Sequence, residues 1–161
     1  MGFFSNLFNK SLDTLCAPVS GKSVPVSEVP DPAFSQGLLG NGIAILPSEG
    51  KVYAPCSAVV ETMFETGHAV SLATDFGAEI LIHVGLETVM LKGEHFSVHC
   101  KNGDKVKKGD LLIEFDLEAV KAKGLNTITS MLVCNSSDFG TFNTKVGRDV
   151  TNSDVVIEMA R

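Results

Sequence analysis

The sequence predicts an all-β fold: a compact antiparallel β-sandwich or barrel-like domain with a few short helical turns and a short N-terminal amphipathic helix. Three observations predict it. From Ala17 onward, short runs rich in Val, Ile and Leu are separated by Gly, Pro, Asn and Asp, as strands are separated by turns. The runs recur at a spacing of about ten residues, which suits antiparallel strands and leaves no room for the helices of βαβ units. Within that span only PAFSQGLL and LEAVKAKG, residues 117–124, read as helical.

In chain order, MGFFSNLFNKSLDTL comes first. Phe4, Leu7, Phe8, Leu12 and Leu15 recur at three- and four-residue spacing, which places them on one side of a helix. Residues 1–16 are therefore expected to form an amphipathic segment. It docks on the body, frays as a terminus, or makes at most weak peripheral membrane contact, because Lys10 is its only basic side chain and surface anchors carry more. Met1-Gly2 does not complete a myristoylation motif, since Asn6 stands where Ser or Thr is required. Residues 17–161 follow as one domain, with SVPV, GIAIL, KVYAP, AVVETMF, HAVSLAT, EILIHVG, FSVHC, LLIEF, MLVC and VVIEM as its expected strands. No linker, low-complexity tract or long repeat divides it.

Composition narrows the function classes. A chain of 161 residues is long enough to bury a core without staples. Hydrophobic residues make up 44% and charged residues 20%, as in soluble globular proteins, and no apolar run approaches the ~20 residues that span a bilayer. The net charge is −6, and the 13 basic residues are scattered apart from KVKK at 105–108, which argues against a nucleic-acid partner. Cys16, Cys56, Cys100 and Cys134 form no C-x-x-C pair and follow no signal peptide; they read as packed or free thiols in a reducing cytoplasm.

The chemistry lies in two histidines. His68 and His83 occupy adjacent apolar strands joined by ATDFGAE. A turn centred between Asp75 and Phe76 sets them directly opposite each other, with Cβ atoms roughly 4.5–5.5 Å apart. A slip of one residue moves His83 to the other face. Three readings then compete: packing, metal ligation and catalysis. Facing histidines on apolar strands are costly as mere packing, and zinc needs three or four ligands. His95 and His99 cannot share an ion if they lie on one strand, where they are about 13 Å apart, and they read as surface residues. For catalysis, repulsion and burial keep at least one ring neutral near pH 7. A neutral imidazole nitrogen is nucleophilic toward phosphorus, and its neighbour can donate an N–H to phosphoryl oxygens. Thr66 shares the strand face of His68 and can set its tautomer. Such a site requires neither metal nor cofactor.

The runs VPDPAFSQGLLGNGIAILPSEG, FETGHAVSLATDFGAEILIHVGLETVMLKGEHF and NGDKVKKGDLLIEFDLEAVKAKG resemble the glucose-type IIA proteins of the bacterial phosphoenolpyruvate-dependent sugar phosphotransferase system. The resemblance covers nearly the whole chain from Ala17. It implies that His83 accepts a phosphoryl group, that His68 supports it, and that Thr66 orients His68. It further implies the phosphohistidine of the carrier HPr as donor and a cysteine of a permease IIB domain as acceptor. The family fold is a compact antiparallel β-sandwich. Its site is a shallow apolar depression that docks two proteins in turn. Phe34, Leu38 and Leu39 match its apolar positions; Asp31 and Glu87 match acidic rim positions that meet an arginine of the carrier. Val84 stands where phenylalanine often follows the active histidine, Glu87 where aspartate is commoner, and His95 where K-G-E-G-F has glycine.

Two alternatives differ in class. NGDKVKKGDLL also resembles half of a biotinyl or lipoyl carrier domain, but the M-K-M or D-K-A turn with its modified lysine is missing. A zinc-dependent hydrolase on a related sandwich needs an H-x-H pair, and His83-Val84-Gly85 lacks its second histidine. A regulatory role through phosphorylation-dependent partner switching is compatible with the phosphocarrier reading. Met1 and its own helix favour a free-standing protein.

Overall fold

The computed structural model describes residues 11–161. The ten expected runs all form strands: β2 (Gly21–Pro25), β3 (Asn41–Pro47), β4 (Lys51–Tyr53), β5 (Ala58–Met63), β6 (Ala69–Thr74), β7 (Glu79–Val84), β8 (Phe96–Val98), β10 (Leu111–Phe115), β11 (Thr129–Val133) and β14 (Val155–Ala160). Four further strands are short or polar: β1 (Asp13–Cys16), β9 (Lys105–Val106), β12 (Thr141–Thr144) and β13 (Asp149–Val150). The two expected helical stretches are helices at Pro32–Ser35 and Leu117–Ala122, capped by the carboxylates of Asp31 and Asp116. Each carboxylate accepts an N–H of the first turn that has no partner inside the helix.

Strand β1 corrects part of the N-terminal expectation. Asp13–Cys16 pairs with β14, setting Leu15 against Ile157, and both side chains are fully buried. The spacing of Leu12 and Leu15 suits a helix, but sheet pairing satisfies the backbone and buries Leu15, while Leu12 stays exposed. The remaining helical positions, Phe4, Leu7 and Phe8, lie outside the described residues.

The described strands pair antiparallel throughout. Eight form one sheet in the order β13-β2-β3-β11-β7-β6-β5-β9, flanked by the smaller sheets β1-β14-β12 and β4-β10-β8. Alternation along the central strands separates two faces. Ile43, Ile45, Val70, Leu72, Ile80, Ile82, Val84 and Met131 point into the main core. Val24, Ala44 and Leu132 point the other way, into a smaller cluster closed by Val29, Phe34 and Ile128. His83 lies on this second face. Along its row the register runs Val24, Ala44, Ser130, His83, Ala69. Small residues therefore flank the histidine on both sides and leave space for its ring.

The β6–β7 hairpin corrects the expected register by one residue. Its loop is three residues long, Asp75-Phe76-Gly77, with Thr74 N–H bonded to the Ala78 carbonyl at 3.0 Å and Gly77 at φ 86°. Three-residue hairpins place a left-handed residue at this third position, and glycine takes it without strain. The Thr74 hydroxyl also accepts the Ala78 N–H at 2.9 Å. Consequently Ala69, not His68, lies opposite His83.

Candidate functional site

Despite that register, the two imidazoles meet. Their centroids are 5.1 Å apart with planes at 84°. The reason is local: Thr66, Gly67 and His68 precede β6 in a turn where Gly67 adopts φ 72°, so strand alternation does not govern the direction of His68. The His68 carbonyl accepts Val84 N–H at 2.7 Å, anchoring the turn to the end of β7. The Thr66 hydroxyl lies 2.5 Å from His68 Nδ1. The expected contact is thus present, arising within a turn and not along a strand.

His83 is held from its own strand. Its Nδ1 lies 2.8 Å from the Gly85 carbonyl oxygen. A carbonyl can only accept, so Nδ1 carries the proton and, in the neutral ring, Nε2 keeps its lone pair. Each imidazole is edge-on to a phenylalanine: Phe34 to His83 with centroids 5.2 Å apart, Phe64 to His68 at 5.5 Å. Burial, together with the neighbouring His83, pushes His68 down to about 4. Burial also lowers His83, opposed by its bond to Gly85 and by the charge of Asp31. At pH 7 both rings are neutral, and a basic nitrogen is available.

The remaining expected residues fall into two groups. Phe34 is buried against His83, and Asp31 caps its helix through a 2.9 Å bond from Ala33 N–H. Leu38 and Leu39 follow that helix and are exposed, Leu38 at 73%. Glu87 is exposed and opens the 3-10 turn Thr88–Leu91 with φ 60°. That turn adds exposed Val89 and Met90, and Phe64 and Val98 are also exposed. His95 and His99 take no part in the pair. They face carboxylates instead, His95 that of Glu94 at 3.1 Å and His99 that of Glu114 at 2.8 Å. All four cysteines are free thiols, and among the described residues no three His, Cys, Asp or Glu side chains are grouped as metal ligands.

The family model for the phosphoenolpyruvate-dependent sugar phosphotransferase system, EIIA 1, matches residues 13–139. The chain belongs to this family. A glucose-specific EIIA component of Halalkalibacterium halodurans is 47% identical over 130 residues, covering 81% of this chain and 75% of that protein. A β-glucoside-specific EIIBCA component of the same organism is 43% identical over 149 residues, covering 92% of this chain but 23% of that protein. The chain therefore spans about a quarter of that multidomain relative. The glucose permease IIA of Mycoplasma capricolum superposes with a TM-score of 0.84 at 33% identity, covering 98% of this chain and 99% of that one. The EIIA family is a component of a sugar-transporting phosphotransferase system, and its β-sandwich is the fold seen here.

Membership in the EIIA family clarifies one departure from the common pattern. His95, standing where K-G-E-G-F has glycine, adopts φ 74°. Glycine takes that region freely, while histidine is strained there. Sequence reading also missed three contributors. The main chain of Gly85 fixes the His83 proton, Thr88 donates its hydroxyl to the Val84 carbonyl at 2.5 Å, and Asn126 accepts Ile128 N–H at 2.9 Å. Gly85 and Thr88 left a trace, as the glycine and threonine of the family run that follows His83, whereas Asn126 left none.

Proposed function

We propose that this protein is a cytoplasmic phosphocarrier that takes a phosphoryl group from phospho-HPr onto His83 and passes it to a cysteine of a permease IIB domain. The observation that carries the reading is the Nδ1–H of His83 committed to Gly85, which leaves Nε2 as the free nucleophile. In the first transfer the Nε2 lone pair forms a bond to phosphorus as the P–N bond to the donor's imidazole breaks. The donor ring leaves with that electron pair. The new phosphohistidine ring is cationic, and Gly85 and Asp31 favour that charge. Its phosphoryl oxygens take an N–H from His68, whose tautomer is set by the Thr66 hydroxyl.

In the second transfer a cysteine thiolate attacks phosphorus in line, an S–P bond forms, and the pair of the P–N bond returns to Nε2. His83 is neutral again with its Nδ1 proton in place, so no net proton moves within the site. Positioning and electrostatics supply the catalysis, without metal or cofactor. The apolar margin of Phe34, Leu38 and Leu39 provides a surface from which partners exclude water. Asp31 and Glu87 supply charge for a basic residue of the donor.

The test is transfer in a purified system of enzyme I, HPr, phosphoenolpyruvate and a IIB domain. The chain should label in a phospho-HPr-dependent manner and discharge onto IIB, and His83→Ala should do neither. Labelling of His83→Ala by phospho-HPr refutes the reading.

A further inference from the structure

The hydrogen bonds around Gly85 are not those of an ordinary antiparallel ladder. Residues that face each other in a hydrogen-bonded pair exchange two bonds, each N–H going to the partner's carbonyl. Gly85 and Ile128 make only one of these, Gly85 N–H to Ile128 O at 2.9 Å. The return bond is diverted, because Ile128 N–H goes to Asn126 Oδ1 at 2.9 Å. The Gly85 carbonyl is thereby released from the ladder and accepts from His83 Nδ1 at 2.8 Å.

Both peptide groups beside Gly85 are held. In the Val84–Gly85 peptide the carbonyl accepts from the hydroxyl of fully buried Thr88, and the N–H donates to Ile128 O. In the Gly85–Leu86 peptide the N–H donates to Asn126 O at 2.9 Å, and the carbonyl faces the imidazole. The joint is closely packed: a Cβ at Gly85 would stand 2.7 Å from both Asn126 O and Thr88 Cγ2. Asn126 itself is exposed, so its side chain is not required as core packing.

We propose that Asn126 and Thr88 are positioning residues for phosphotransfer, Asn126 by diverting Ile128 N–H and Thr88 by fixing the Val84–Gly85 peptide, so that the Gly85 carbonyl holds the proton of His83 on Nδ1. The consequence for the reaction rests on His83 being the phosphoryl acceptor. Without Asn126 Oδ1, Ile128 N–H turns to the Gly85 carbonyl and competes with the ring. Part of the His83 population then carries its proton on Nε2, where no lone pair remains to attack phosphorus.

The experiment reads the tautomer first. In ring-¹⁵N-labelled, unphosphorylated protein at a pH where both rings are neutral, His83 of the natural protein should be the Nδ1–H form. Asn126→Ala should give a measurable Nε2–H fraction and accept phosphoryl from phospho-HPr roughly three- to tenfold more slowly, the scale of one lost hydrogen bond. Asn126→Asp keeps the acceptor oxygen and should restore both. Thr88→Val, which keeps the shape and loses the hydroxyl, against Thr88→Ser, which keeps the hydroxyl, repeats the comparison, and serves alone if Asn126→Ala does not fold. A folded Asn126→Ala or Thr88→Val protein with an unmoved tautomer, or with an unchanged rate of acceptance, overturns the proposal. If the natural protein itself is not phosphorylated on His83, the functional reading fails, while the tautomer measurement still decides whether Asn126 controls the ring.

Discussion

The rings of His68 and His83 lie edge to face with centroids 5.1 Å apart, although the backbone register sets Ala69 and not His68 opposite His83. The juxtaposition is therefore a property of the Thr66-Gly67-His68 turn as much as of the hairpin. The two histidines have different supports: a hydroxyl for His68 and a main-chain carbonyl for His83. Changes at one ring should accordingly separate from changes at the other.

His68→Ala should still accept phosphoryl from phospho-HPr, since His83, the proposed nucleophile, and its carbonyl are intact. Onward transfer to IIB should slow by roughly 10²–10³-fold, the scale of a lost donor to developing charge. Single-turnover kinetics of each half-reaction would reveal the split, and equal loss in both halves would contradict it.

Acid should destabilise the fold through the same pair. The folded-state value of His68 is lowered from 6.5 to about 4, so below pH 6.5 the unfolded chain takes up a proton that the folded chain refuses. Stability contributed by the neutral ring is complete above pH 6.5 and is lost as pH falls toward 4, by up to ~3 kcal/mol. Urea unfolding between those pH values should show a shallower decline for His68→Gln than for the natural protein. Equal slopes would remove His68 as the source.

Gly85→Ala should be among the most damaging single changes. The new methyl group meets Asn126 O and Thr88 Cγ2 at 2.7 Å on a backbone with φ 69°. A loss of about 2–3 kcal/mol is expected from strain of this kind, together with slower acceptance, because the carbonyl that orients His83 is displaced. Thermal unfolding and the HPr half-reaction measure the two effects.

His95→Gly should act in the opposite direction. It relieves a non-glycine residue at φ 74°, for a gain of up to about 1 kcal/mol, and it removes the contact of the half-buried imidazole to Glu94. A higher melting temperature with unaltered phosphotransfer is the expected result, and a lower one would show that the Glu94 contact outweighs the strain.

The strands that could be read in the sequence are those whose aliphatic content is set by burial on one or both faces, such as GIAIL in β3 and EILIHV in β7. Strand β12, TFNT, is an edge with mostly exposed side chains, so composition carries no signal there. Strand β1 was obscured for another reason: Leu12 and Leu15 fit a helical stripe, and only the distant partner β14 decides between the two conformations. The histidine pair and Thr66 were legible from the resemblance, but the register was not, because Asp75-Phe76-Gly77 does not say in sequence whether the turn closes over two residues or three; the Thr74–Ala78 bond and the left-handed Gly77 make it three. Asn126 was illegible altogether, since its role depends on which hydrogen bond Ile128 does not make with Gly85.

The most direct test of the account is to locate the phosphoryl group itself. Phosphorus–nitrogen coupling in ¹⁵N-labelled protein, phosphorylated through enzyme I and HPr, identifies both the ring and the nitrogen. One acid-labile group is expected, on Nε2 of His83, absent from His83→Ala. A phosphoryl group on His83 Nδ1, on His68, or on His95 or His99 would contradict it.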